Sequence, residues 1–221
     1  MNVYFIPGIG ADYRLFTHLR LPEGYEDRYV HWIPPLKHEP LADYAFRLTQ
    51  QIDSTKPFVL IGLSLGGIMA VEIAKRIPPV CTILISSVPL SAQLPPLYKL
   101  SGDLKLGKLI PASLLKIAAT VKHSLTMPGA ENRRLMRQVI RDGDNYFIRW
   151  ALTAVLEWRN DILPHPLYHV HGTRDEVFPY RRVRPTHTIP KGGHMFLMSS
   201  PETVNQFLHE ILLSAQKRTP A

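Results

Sequence analysis

Residues 58–67 read FVLIGLSLGG, and they carry the strongest indication of the fold in the chain. It opens with a wholly apolar run of the length of a buried strand. Residues 65–77 then carry apolar positions at helical spacing, so the chain passes from strand to helix through a turn at Ser64. At so sharp a reversal, side chains at Gly62 and Gly66 would collide with the neighbouring strand and helix. The stretch therefore predicts a strand, a tight turn and a helix.

The same alternation continues on both sides of this stretch. Short apolar runs alternate with amphipathic segments, which is typical of a parallel sheet covered by helices on both faces. We therefore expect an α/β fold with a doubly wound, mostly parallel sheet. The predicted strands are 3–6, 29–33, 58–61, 82–85, 167–170 and 186–189, and the predicted core helices are 41–52, 65–77 and 203–213.

Length and composition are those of one globular domain. The chain has 221 residues, of which 45% are hydrophobic and 20% are charged, and these values exclude a disordered, collagen-like or coiled-coil protein. No apolar run approaches the roughly 18 residues of a membrane-spanning helix. The N-terminus enters the first predicted strand without a cationic leader, so we expect no signal peptide, no membrane association and a cytoplasmic location.

Residues 90–163 interrupt the alternation because they hold no convincing strand. Prolines punctuate their front half, and two helices follow, predicted over 131–141 and 147–158. We interpret this segment as a helical insertion into a core made of residues 1–89 and 164–221. The first helix turns four arginines away from its apolar side, and we favour a solvated face over an anion site for them: Arg133, Arg134, Arg137 and Arg141.

The turn residue Ser64 lies in a G-x-S-x-G motif, which places a serine hydroxyl where it can act as a nucleophile. A hydroxyl needs a base to take its proton, and the base needs an acid to hold it in one tautomer. We predict His194 as the base, because it follows the last strand-like run and precedes the final helix. Asp175, in the turn after 167–170, is the predicted acid and is preferred over Glu176, although a purely turn-forming aspartate is the alternative.

Negative charge on a carbonyl oxygen under attack requires hydrogen-bond donors. The amide of Leu65, at the start of its helix, is one predicted donor. The second is predicted in the loop after the first strand, at Ile9 or Gly10. That Gly-x-Gly loop could also cradle a dinucleotide, but Tyr13 stands where a third glycine belongs.

The sequence gives no sign of a cofactor or a metal site. No phosphate-binding lysine follows a glycine loop, and no His-x-x-x-His or paired-carboxylate cluster suggests a metal. The single cysteine, Cys81, excludes an internal disulfide and a thiolate zinc site, and its apolar surroundings predict a core residue. We therefore expect no cofactor and no metal.

Four segments together resemble the α/β-hydrolase superfamily, over nearly the whole chain. FIPGIG (5–10) resembles its oxyanion loop, GLSLGG (62–67) its nucleophile elbow, HGTRDEVFP (171–179) its acid turn and GGHMF (192–196) its histidine loop. The resemblance implies a triad in the order Ser64, Asp175, His194 and a helical lid at 90–163.

The sequence departs from the family pattern in two respects. The family's first hairpin is expected to be absent, which leaves about six strands in the order 4-3-5-6-7-8 by the family's count. Pro7 stands where members often have a histidine before the oxyanion glycine. Serine rather than aspartate as nucleophile disfavours dehalogenase and epoxide-hydrolase chemistry.

The predicted function is that of a serine hydrolase, which cleaves a carboxylic ester or thioester of a small to medium acyl substrate through an acyl-enzyme. Trp150 and Phe196 are candidates for substrate contact, although a stripe at helical spacing, such as the one that holds Trp150, is more often plain core. The alternative is a non-catalytic ligand receptor or partner-binding module on the same fold.

The charge balance leaves the nature of the substrate open. Residues 90–163 hold eleven Lys and Arg and six Asp and Glu, a net charge of +5 out of +8 for the chain, so an anionic substrate is a further hypothesis. Nucleic-acid binding is disfavoured, because the chain has no zinc-finger spacing, no aromatic RNA-binding strand and no unbroken basic block.

Overall fold

The computed structural model describes residues 1–95, 116, 127 and 129–217. Within them, one six-stranded sheet has the order β2-β1-β3-β4-β5-β6, and every neighbouring pair is parallel. This order is the one expected from the sequence, and the α/β prediction is confirmed. The strands are β1 (Asn2–Ile6), β2 (Glu26–Tyr29), β3 (Phe58–Leu63), β4 (Cys81–Ile85), β5 (Leu167–Gly172) and β6 (His187–Ile189).

Helices cover both faces of the sheet because its central strands are apolar on both sides. In β3, Phe58 and Leu60 face one core, and Val59, Ile61 and Leu63 face the other. No described helix is both long and apolar enough to cross a membrane. The helices are α1 (Leu41–Leu48), α2 (Leu65–Ala74), α3 (Ala130–Asp142), α4 (Asn145–Glu157), α5 (Phe196–Ser199) and α6 (Pro201–Gln216).

Each face has its own set of helices. Helices α1, α2 and α4 pack on the first face, whereas α5 and α6 pack on the second, together with the buried side of α3. Every residue of α2 is buried, so this helix lies between the sheet and its helical neighbours. At about 25 cal/mol for each Å² of apolar surface removed from water, these two cores supply the main driving force for folding.

The predicted second strand, 29–33, is wrong. The strand lies earlier, at Glu26–Tyr29, and its charged residues are exposed because, among the described strands, it pairs with β1 alone, at the edge of the sheet. The apolar residues after it form a loop instead. Val30 is buried in the first core, and the Trp32 ring stacks on Phe147 of α4 with ring centroids 4.8 Å apart.

Helices α3 and α4 lie between β4 and β5, where two helices were predicted. The indole of Trp158, at the end of α4, donates a hydrogen bond of 2.8 Å to Glu72 of α2. Asp144 caps α4 by accepting a hydrogen bond of 2.6 Å from the amide of Phe147. Most of the front half of the predicted insertion, residues 96–115, 117–126 and 128, lies outside the described residues, so the division into core and insertion stays a prediction.

Candidate active site

Ser64 occupies the sharp turn between β3 and α2. Its backbone has φ 54° and ψ −117°, and such a positive φ is uncommon for residues other than glycine. The Ser64 amide donates to the carbonyl of Ile85 at 2.9 Å, so the turn is fixed to the end of the neighbouring strand. A Cβ at Gly62 would collide with the backbone of Gly66, and one at Gly66 would collide with the backbone of Ile6. The sequence interpretation of both glycines is confirmed.

The structure brings together the three residues that the sequence assigns to a triad. The Ser64 Oγ lies 3.0 Å from Nε2 of His194. On the other side of the ring, Nδ1 of His194 lies 2.9 Å from Oδ2 and 3.1 Å from Oδ1 of Asp175. Because a carboxylate accepts from Nδ1–H, Nε2 is left free to accept the serine proton. The three side chains therefore form one hydrogen-bonded row at the carboxyl edge of the sheet.

The Asp175 carboxylate is buried and accepts several hydrogen bonds. Its Oδ1 accepts from the backbone amides of Val177 at 2.9 Å and Phe178 at 2.8 Å. Burial by itself raises the pKa of Asp175, but the hydrogen bond and charge of His194 and the Phe178 amide outweigh it, so the pKa lies below its ordinary value. Asp175 is therefore ionised behind the imidazole at neutral pH.

Glu176, the other acidic residue of the turn, contacts the histidine loop through its carboxylate. Its Oε2 accepts a hydrogen bond of 3.1 Å from the backbone amide of His194. The geometry therefore gives the two acidic residues different places: Asp175 contacts the ring, and Glu176 holds the loop that carries it.

The predicted oxyanion residues surround Ser64. Leu65 is the first residue of α2, so its amide has no partner within the helix. Gly8 and Ala11 close a turn with a hydrogen bond of 3.1 Å, and Gly10, at φ 64°, takes its third position. Ile9 and Gly10 share a cavity with Ser64. Their roles as donors stay predictions.

That cavity has a volume of about 240 Å³ and lies beside Ser64 and His194. Apart from Lys116, its described side chains are apolar where α3 and α4 close over it. The Lys116 ammonium donates to the carbonyls of Gly143 and of Arg141, at the end of α3. The apolar lining side chains from α3 and α4 are Met136, Val139, Ile140, Ile148 and Leu152.

Trp150 and Phe196 are not among the described residues that line the cavity. The Trp150 ring packs on Tyr44 with ring centroids 4.3 Å apart, and its indole donates to the Glu39 carbonyl at 2.9 Å. Phe196 is buried in the second core. The periodicity that selected Trp150 places it on an apolar face, but does not tell which neighbour that face meets.

The arginines of α3 lie away from the cavity. The side chain of Arg133 donates to the Met127 carbonyl at 3.0 Å. Arg134, Arg137 and Arg141 are exposed, as a solvated face requires. The anionic substrate stays a prediction.

Sequence reasoning missed two serines at the end of β4. The Ser86 hydroxyl donates to the carbonyl of His194 at 2.6 Å, and the Ser87 hydroxyl donates to the carbonyl of Ser64 at 2.7 Å. Both serines are fully buried. Their position after a predicted strand, at the same sheet edge as Ser64, is the signal that could have found them, because buried hydroxyls need partners.

A serine, an imidazole and a carboxylate in line at the carboxyl edge of a doubly wound sheet, with the serine in a tight strand–helix turn, are typical of α/β hydrolases. The chain belongs to the alpha/beta hydrolase family, whose family model matches residues 3–207. No curated protein sequence matches the chain significantly.

Solved structures show the same fold at low sequence identity. A thermophilic esterase from Thermogutta terrifontis has a TM-score of 0.71 and 19% identity, with 97% of this chain and 90% of that chain covered. MenH from S. aureus has a TM-score of 0.75 and 18% identity, covering 98% and 94%. A carboxylesterase structure from the thaumarchaeon Nitrososphaera gargenis has a TM-score of 0.73 and 13% identity, covering 99% and 92%.

Proposed function

We propose that the protein is a serine hydrolase that cleaves a carboxylic ester or thioester through an acyl-enzyme. The observation that carries this proposal is the row Ser64 Oγ, His194 Nε2 at 3.0 Å and Asp175 Oδ2 at 2.9 Å from Nδ1, beside an apolar cavity. Esterases among the structures of similar fold support the reaction class.

In the first half-reaction, the Ser64 oxygen bonds to the substrate carbonyl carbon, and its proton moves to Nε2 of His194. The negative charge of Asp175 stabilises the imidazolium and keeps the ring in place. The amide of Leu65 and one from the loop at Ile9 or Gly10 stabilise the oxyanion. When the carbon–oxygen or carbon–sulfur bond breaks, the leaving group takes the proton from His194.

In the second half-reaction, water attacks the acyl-enzyme. His194 takes one proton from the water and returns it to Ser64 as the acid leaves, so the residues end as they began. This cycle needs only the chain's own groups and water.

The acyl group is expected to be small to medium and apolar. Its binding space is the cavity of about 240 Å³, whose described side chains from α3 and α4 are aliphatic or methionine. An ionised acyl chain would lose its hydration there and find Lys116 already bonded to two carbonyls. A charge on the substrate is therefore better placed on the leaving group.

The test is labelling with a fluorophosphonate probe, which reacts with an activated serine. Wild type and Ser54→Ala, which changes an exposed serine outside the site, should be labelled, and Ser64→Ala should not. Ser64→Ala should also lower kcat on a short-chain p-nitrophenyl ester by at least about a thousandfold. Folded wild-type protein that takes no label contradicts the enzyme proposal and favours a ligand receptor on this fold.

A further inference from the structure

Two buried histidines behind the acid turn have no part in the chemistry proposed above. His169 and His171 alternate with Val170 along β5 and therefore point to the same face of the sheet. Their side chains are 3.0 Å apart, from Nε2 of His169 to Nδ1 of His171. The Nε2 of His171 lies 2.8 Å from the carbonyl of Phe178. The two rings thus form a row that ends at the turn carrying Asp175.

The hydrogen bonds fix where the protons lie. A carbonyl only accepts, so Nε2 of His171 carries the hydrogen that bonds Phe178. Burial lowers the pKa of His171, and the charge of Asp175 and the Phe178 carbonyl offset this only in part. The ring is therefore neutral, and its Nδ1 is an acceptor that faces Nε2 of His169 at 3.0 Å.

The same Nε2–H of His171 also faces the acid. It lies 3.5 Å from Oδ2 of Asp175, the oxygen that lies 2.9 Å from Nδ1 of His194. At this distance the contact is electrostatic rather than a good hydrogen bond, but it acts in a site from which water is excluded. Phe178 adds a second connection, because its amide donates to Asp175 while its carbonyl accepts from His171.

The titratable groups that act on His171 come from several elements. They are His169 on the same strand, Asp175 in the acid turn, His194 in the loop before α5, and the ring of Tyr180, 6.5 Å away between centroids. Among these, Asp175 is the nearest charge.

We propose that His171 is a positioning residue of the active site, held by His169, whose Nε2–H fixes the acid turn and competes with His194 for the Asp175 carboxylate. The proposal rests on the proposed function for the roles of Asp175 and His194. Its effect passes through Asp175, so His171 itself touches no reacting atom.

The sign of the effect follows from the competition. A carboxylate that loses one hydrogen-bond donor becomes more basic and interacts more strongly with its remaining partners. Without the His171 N–H, Asp175 stabilises the protonated form of the His194 ring more strongly. The titration midpoint of His194 should then move to higher pH, and the acid limb of the pH profile of kcat/KM should move with it.

The experiment titrates His194 by NMR in protein labelled with ¹⁵N-histidine, which needs no substrate. His171→Phe removes the donor and keeps a ring, His171→Gln can donate from a similar position, and His187→Gln is the matched control on β6. We expect the midpoint to rise by about half a pH unit or more in His171→Phe and to stay near wild type in the other two. A folded His171→Phe protein with the wild-type midpoint overturns the proposal.

The wild-type spectrum keeps the proposal testable if His171→Phe does not fold. At neutral pH, a neutral His171 ring with its hydrogen on Nε2 supports the assignment, and a hydrogen on Nδ1 overturns it. Failure of the proposed function is a separate result, because unlabelled wild type in the fluorophosphonate assay leaves the titration of His194 readable. A structural role alone would lower kcat in His171→Phe without moving the acid limb.

Discussion

At the scale of single residues, the conformation of Ser64 depends on what its neighbours lack. We expect Gly66→Ala to lower the free energy of unfolding by about 3 kcal/mol or more, because the new Cβ would meet the backbone carbonyls of Ile6 and Pro7, which cannot rotate away. Gly8→Ala is the control, since its Cβ would lie 3.6 Å from that of Ser64, an ordinary contact. Urea unfolding followed by circular dichroism measures both. Equal stability of the two variants would contradict the close approach at Gly66.

The two serines at the end of β4 hold the backbone carbonyls of His194 and Ser64. Ser86→Ala leaves the buried carbonyl of His194 without its 2.6 Å donor, and Ser87→Ala does the same to the carbonyl of Ser64. A buried unsatisfied acceptor costs about 1–3 kcal/mol. We expect the loop or the elbow to shift, and kcat on an ester substrate to fall about tenfold with little change in KM.

Steady-state kinetics on Ser86→Ala, Ser87→Ala and the exposed control Ser54→Ala measure this effect, with thermal unfolding alongside. If both buried variants lose stability but keep wild-type kcat, the two hydroxyls support the fold without placing the catalytic groups.

The sequence predicts which three side chains meet at the sheet edge better than it predicts their surroundings. Ser64, Asp175 and His194 each follow a strand of one parallel sheet, so topology brings them to one edge whatever the details of packing. Ser86 also follows such a strand, but nothing in its sequence context shows which carbonyl its hydroxyl will meet. Trp150 illustrates the same limit, because the ring that it packs against, Tyr44, is about a hundred residues away in sequence.

At the scale of elements, β5 makes the stability of the protein depend on pH. Burial, with a contribution from His171, lowers the pKa of His169 to about 3, whereas the unfolded chain titrates near 6.5. Between these values the unfolded chain binds a proton that the folded chain does not, so the free energy of unfolding falls as pH falls. The stabilisation is complete above about pH 6.5, and its loss is at most about 1.4 kcal/mol per pH unit.

His169→Gln should reduce this pH dependence, because the variant removes the group that the folded state keeps neutral. Urea unfolding between about pH 7 and about pH 5 compares its slope with those of wild type and of His209→Gln, a change to an exposed histidine on α6. A slope in His169→Gln equal to that of wild type would show that His169 is protonated in the folded protein.

Helices whose apolar spacing repeats over several turns and strands at the centre of the sheet are predicted well. The edge strand is not. The central strand β3 is apolar on both faces and is found where the sequence places it. The edge strand β2 carries Glu26, Asp27 and Arg28, because one of its sides pairs with none of the strands that the structure describes and its side chains face water. The apolar residues that follow it, Val30 and Trp32, are buried by a loop instead.

At the scale of the whole molecule, the two cores meet at the carboxyl edge through the link between α3 and α4. A Cβ at Gly143, in that link, would lie 2.5 Å from the carbonyl oxygen of Gly10. Arg14 reaches both Asp12, in the loop of Gly10, and Asp142, at the end of α3, at 2.6 Å and 3.0 Å. The helices over the cavity are thus fixed to the predicted oxyanion loop, so a displacement of the helices would also displace the loop.

The net charge of +8 gives the molecule a positive electrostatic potential, which attracts anionic substrates from solution. Because the cavity at Ser64 is apolar, we expect a neutral acyl ester with an anionic leaving group to be hydrolysed with a higher kcat/KM than its neutral counterpart at low salt. The advantage should shrink several-fold between about 10 mM and about 150 mM salt, as the Debye length falls from about 30 Å to about 8 Å. Replacing Arg134, Arg137 and Arg141 with Gln should weaken the salt effect and leave the neutral ester unaffected. Equal rates for the two esters at every salt concentration would remove the anionic-substrate hypothesis.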